Sequence, residues 1–145
     1  MPNNSAKEGP FKVALASGDA IWFIGGYITL LSHAKETRGQ ISLTEWVGPR
    51  GMCAPPHSHT LEAEGFYILE GDLTVGVGGQ TFECQRGDFV YVPKTAPHEF
   101  MVNSATAKFL VTITPAGFEE FFREVSEGPA RAATWAFLWR RGSSD

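Results

Sequence analysis

The stretch HSHTLEAE, His57 to Glu64, follows the pair Pro55-Pro56 and sets two imidazoles at i and i+2 beside two carboxylates. On a β-strand, side chains two residues apart point to the same face, so His57 and His59 can aim at one ion. Neutral imidazoles suit Zn, Fe, Ni and Cu, and a carboxylate completes a mixed sphere of nitrogen and oxygen. Glu62 and Glu64 share strand parity, so alternation alone selects neither as the acid. Two more histidines, His33 and His98, stand well apart in the chain.

Such residues need a frame that brings them together. Between Ala20 and Thr114 the chain runs through IWFIGGYITLLS, QISLTEWV, EGFYILEG, LTVGVGG, QTFECQ, DFVYVP, HEFMVN and AKFLVTIT. Short β-rich runs at this spacing predict an all-β sandwich or barrel. Gly71-Asp72, Gly78-Gly79 and Arg86-Gly87-Asp88 fall between runs and read as turns joining antiparallel hairpins. Gly76, Gly78 and Gly79 lack the phosphate-loop pattern and are turn glycines. Phe66 and Ile68 continue the parity of Glu64, and Phe100 and Val102 that of His98, which predicts an apolar, aromatic-lined cavity over the site.

After Pro115 the period changes. Phe118, Phe121, Phe122 and Val125 fall at i, i+3, i+4 and i+7, with Glu119, Glu120, Arg123 and Glu124 between them. This predicts a short amphipathic helix ending near Gly128-Pro129, with its apolar stripe on the outside of the barrel. The tail ATWAFLWRR holds Trp135, Phe137, Leu138 and Trp139, a surface expected to pack on the barrel or on a second subunit.

A chain of 145 residues is expected to form a single domain over 1–145, its core about 20–114 and its helix and tail 116–145. Hydrophobic residues at 43% and charged residues at 19% exclude a disordered or fibrous chain. A net charge of -4, with no basic stripe, argues against a nucleic-acid partner. The longest apolar run, AIWFIGGYITLL, falls short of the ~20 residues that span a bilayer, so no membrane role is expected. The polar start MPNNSAKEGP carries no signal-peptide core, which gives a cytoplasmic expectation. Cys53 and Cys84 are expected as free thiols, Cys53 as a small buried one.

The spacing from Gly51 through His57, His59 and Glu64 to Gly71 resembles the first motif of the cupin family at every position. Gly87, Pro93 and His98 resemble the second. Two positions depart: Thr95 stands where the family usually has Gly, and Asn103 lies one residue beyond the usual Asn. The resemblance covers roughly 28–114 and implies a jelly-roll barrel, all-β, with a short C-terminal helix. It also implies one divalent metal ion per chain, held by His57, His59, His98 and Glu64. It is the resemblance that selects Glu64, leaving Glu62 as a rim carboxylate or a base near the pocket mouth. An isolated histidine is usually a buried hydrogen-bonding group, but three of four at this spacing favour a metal site.

The chain resembles small bacterial cupins of the quercetin-dioxygenase type and monocupin cyclases of aromatic polyketide pathways. Either implies a small aromatic or polyketide-type substrate. The cyclase, a step in antibiotic biosynthesis, would use Zn as a Lewis acid. The dioxygenase would use Ni, Fe, Mn or Cu, with Glu64 as the catalytic base. His33 tips the expectation to the cyclase, because a fourth histidine ligand would make a nitrogen-rich zinc site and free Glu64. A third reading is a non-catalytic binding protein, against which the full ligand set argues. The aromatic tail predicts a homodimer.

Overall fold

Strict alternation shapes the centre of the molecule: in the run Thr106–Thr114 the side chains of Ala107, Phe109, Val111 and Ile113 are buried and the residues between them are not. The computed structural model describes residues 9–126 and 128–130. Its strands are β1 Asp19–Phe23, β2 Gly26–Leu30, β3 Ser42–Pro49, β4 Cys53–His57, β5 Ala63–Glu70, β6 Leu73–Val77, β7 Gln80–Cys84, β8 Phe89–Val92, β9 His98–Val102, β10 Thr106–Thr114 and β11 Gly128–Ala130. Two short helices, α1 Ala34–Thr37 and α2 Glu119–Glu124, complete it.

Among the described residues the strands form a seven-stranded sheet, β11-β1-β2-β3-β10-β5-β8, and a four-stranded sheet, β4-β9-β6-β7. Every pairing is antiparallel. The sheets meet through aromatic rings: Phe100 of the smaller one lies 5.6 Å from Trp46 and 5.3 Å from Phe109 of the larger. Trp46 donates its indole N–H to Thr44 Oγ1 at 2.8 Å, which satisfies the one polar group it carries into the core. The all-β barrel with a short helix near the C-terminal end agrees with the expectation.

Three local features differ from the sequence reading. The run IWFIGGYITLLS is a hairpin rather than one strand, because Ile24 and Gly25 both take left-handed backbone, at φ 46° and 86°, as a tight two-residue turn requires. The polar run Lys35 to Arg38 after His33, which reads in the sequence as a solvated turn, falls mostly within α1. Gly128 and Pro129 do not merely end the helix, since Gly128–Ala130 pairs with β1. Trp135, Phe137, Leu138 and Trp139 lie outside the described residues.

Candidate metal centre

His57 closes β4 and His98 opens β9, and the two are register partners across that ladder. His59 reaches the same place differently. It lies beyond the end of β4, after an irregularity between Ala54 and His57 that spans Pro55-Pro56, so His57 and His59 do not share a strand face as expected. Pro lacks an N–H for the ladder, which is why regular pairing fails there. The backbone of His59 is held from the opposite loop, where the Thr95 N–H donates to the His59 carbonyl at 2.7 Å. The three ring centroids are 4.2 to 5.2 Å apart, and one ring nitrogen from each histidine lies within 4.8 Å of the others.

The tautomers follow from the partners. Nδ1 of His57 sits 2.8 Å from the Pro55 carbonyl and Nδ1 of His98 3.0 Å from the Ala96 carbonyl. A carbonyl can only accept, so both Nδ1 atoms carry hydrogen and each Nε2 of a neutral ring presents a lone pair. The buried Nε2 atoms of His59 and His98 have no well-formed hydrogen bond. Yet they lie 3.3 and 3.0 Å from the two oxygens of Glu64. Lone pairs facing carboxylate oxygens repel unless a proton or a cation lies between them, and a divalent ion meets that need for all of these atoms at once. The donor set therefore fits a metal.

Protonation bears the same imprint. Burial would push the Glu64 carboxyl up, but contact with the His59 and His98 imidazoles overrides it and holds the group at about 2. Burial would likewise lower His98, and here Glu64 and the Ala96 carbonyl prevail and raise it. His57 is lowered, by burial first and by the neighbouring imidazoles.

His33 is not brought to this cluster. It is the N-cap residue of α1, with Nδ1 3.2 Å from Glu36 and Nε2 3.6 Å from Asp19 and 3.2 Å from Arg123. Its ring is committed to charged groups of α1, β1 and α2, so the expected four-histidine sphere does not form. Glu62 sits half-buried with an oxygen 4.0 Å from Nδ1 of His59, at the rim of the site. Cys53 is exposed rather than buried, on the outward side of β4, and Cys84 is buried; both are free thiols.

Beside these candidate ligands lies a cavity of about 420 Å³. Phe23, Trp46, Phe66, Phe100, Phe118 and Phe122 wall it, while His57, His59 and Glu64 form its polar end. Phe66 and Phe100 take the places expected from parity, whereas Ile68 and Val102 lie in the core beyond the cavity. The α2 stripe of Phe118, Phe121, Phe122 and Val125 also faces this cavity instead of the barrel exterior. In the sequence Glu119 is one of the polar residues set between the apolar positions of this helix. The structure buries it completely, its carboxylate accepting the N–H groups of Ala34 and Gly117 at 2.6 Å each. Helical periodicity cannot reveal a partner 85 residues away.

A two-sheet antiparallel barrel thus gathers three imidazoles and a carboxylate at one end of an apolar interior, a donor set that could hold a metal ion. Residues 45–113 match the Cupin domain family. The chain is 30% identical over 118 residues to the quercetin 2,3-dioxygenase of Bacillus subtilis strain 168, covering 81% of this chain and 35% of that protein. The chain thus spans about a third of the length of that relative. In fold it is similar to an RmlC-like cupin from Shewanella frigidimarina, with TM-score 0.65 at 20% identity over 77% of this chain and 96% of the other. It is similar as well to the Streptomyces nucleoside dehydratase Pac13, with TM-score 0.64 at 12% identity over 77% and 88%. Among the described residues, no helix is long and apolar enough to cross a membrane.

Proposed function

We propose that the chain is a metal-dependent enzyme acting on a planar, oxygen-bearing aromatic molecule, with a flavonol-type ring-cleaving dioxygenase reaction as the preferred chemistry. One observation carries the reading: His57 and the buried His59 and Glu64 form the polar end of a cavity whose remaining walls are almost wholly aromatic or aliphatic. A ligand that fits must be apolar along its body and carry its oxygen atoms at one end.

His57, His59 and His98 would hold the ion through Nε2, with the Nδ1 atoms of His57 and His98 oriented by the Pro55 and Ala96 carbonyls. Glu64 is assigned as a fourth ligand, because a carboxyl this acidic is a good anionic ligand and a weak base. A bound divalent ion would supply Lewis acidity, lowering the pKa of a hydroxyl on the substrate. The aromatic walls hold the substrate plane and exclude water from the polar end. In the preferred reaction both atoms of O₂ enter the product, and the opened ring supplies the electrons.

The polyketide cyclase reading, with Zn, uses the same pocket, but the feature that favoured it was a metal-bound His33, whose ring faces Glu36, Asp19 and Arg123 instead. Similarity to a quercetin 2,3-dioxygenase supports the oxygenase. Assembly as a homodimer and a cytoplasmic location are proposed with it, the first on the aromatic residues Trp135 and Trp139.

The test is an oxygen electrode with metal-loaded protein and quercetin. Consumption of one O₂ per quercetin, absent in His57→Ala, supports the oxygenase. Turnover of a polyketide intermediate at equal rate under nitrogen and air, with no oxygen uptake on quercetin, reverses the preference.

A further inference from the structure

Glu119 is a fully buried carboxylate outside the ligand set, and it directly follows Phe118, whose ring packs on His59. One oxygen accepts the N–H of Gly117, just before Phe118, and the other accepts the N–H of Ala34 at the start of α1. Phe118 lies between Gly117 and Glu119 in the chain, with its ring centroid 4.1 Å from that of His59, the planes at 70°. Phe122, one turn on, packs 5.4 Å from Phe23 and 5.2 Å from Trp46. Arg123 adds a second tie from α2 to Asp19. Burying a carboxylate is costly unless its hydrogen bonds are made, and an apolar side chain would fill the same space at less cost. What the carboxylate supplies instead is direction: two short, charge-assisted bonds fix where the first turn of α2 begins.

We propose that Glu119 is a positioning residue for the metal centre, holding Phe118 against the His59 ring and thereby setting both the orientation of that ligand and the aromatic wall that faces the substrate. This rests on the metal-dependent reading above. Glu119 touches neither metal nor substrate and acts through Phe118. The edge of the phenyl ring limits the tilt of the imidazole, much as an outer-shell hydrogen bond would.

The test uses full-length protein loaded with Co²⁺, whose visible absorption reports ligand geometry, with quercetin as the aromatic probe. Glu119→Ala is expected to keep one Co²⁺ per chain, to alter the visible spectrum, and to weaken quercetin binding about tenfold. Phe118→Ala should do the same, and the double variant should be no worse than the more impaired single one, since the two residues act as a unit. Glu119→Gln, which keeps one acceptor oxygen, should lie between. If Glu119→Ala does not fold, the near-isosteric Glu119→Gln carries the test, with a changed spectrum and weakened quercetin binding expected. A lower melting temperature with the parent spectrum and parent quercetin affinity would overturn the proposal, as would independent addition of the two single effects. Wild-type protein that takes up no Co²⁺ would overturn the metal-dependent reading itself, a result distinct from either.

Discussion

His57 and His98 are direct partners across the β4–β9 ladder, and their rings stand 4.2 Å apart although 41 positions separate them in sequence. The ladder brings the two motifs together, and Glu64, from β5 of the other sheet, closes the cluster. Removing Glu64 should therefore weaken the ion without dispersing the histidines. Glu64→Gln is expected to bind metal about 10- to 100-fold more weakly, measured by competition with a chromophoric chelator. Unchanged affinity would show that Glu64 is no ligand.

Thr95 adopts φ 72°, a left-handed conformation that a β-branched side chain rarely takes, while its N–H holds the His59 carbonyl. The strain costs about 1–3 kcal/mol. Thr95→Gly relieves it and loses about 0.4–1 kcal/mol to the greater freedom of the unfolded chain. The net expectation is a gain of about 1 kcal/mol, seen as a melting temperature higher by about 2–4 °C, with metal content unchanged. A lower melting temperature would contradict the strain.

His33→Ala should leave the metal content at the parent value. His33 meets Glu36, Asp19 and Arg123 at a partly exposed site, so the stability cost should stay within about 1 kcal/mol. Chemical denaturation and elemental analysis read both quantities. Loss of metal would restore the four-histidine site.

Ligation needs neutral imidazoles, so protons compete with the ion. In the metal-free protein His98 is raised by Glu64 and the Ala96 carbonyl against the opposing effect of burial, so it takes a proton before His57 as pH falls. Glu64 stays ionised until about 2 and does not limit binding at mild acidity. Metal affinity should therefore decline as pH drops through and somewhat above the ordinary imidazole value of ~6.5, with proton release on binding measurable by calorimetry in two buffers. Equal affinity at both ends of the imidazole range would contradict this.

His57, His59 and His98 were legible as one cluster from motif spacing, while strand parity, also a local signal, located part of the cavity wall. Phe66 and Phe100 followed from the same parity. What failed depended on distant partners. His33 looked available only because Asp19 and Arg123, which engage it, are remote in sequence. Glu119 read only as a polar residue between apolar positions for the same reason, since nothing near it reveals the Ala34 amide. The α2 stripe was recognised, but periodicity says that a helix has an apolar face and not which surface receives it. His59 joined the site by a route that parity did not anticipate, because Pro55-Pro56 interrupts the strand.

The most direct measurement of the metal centre is elemental analysis of purified wild-type protein beside His98→Ala, each shown to be folded by circular dichroism. One divalent ion per wild-type chain, lost from His98→Ala, is the expected result, because removing one of three histidine ligands leaves too few donors to retain the ion through purification. A full equivalent of metal retained by folded His98→Ala would contradict a centre built on His57, His59 and His98.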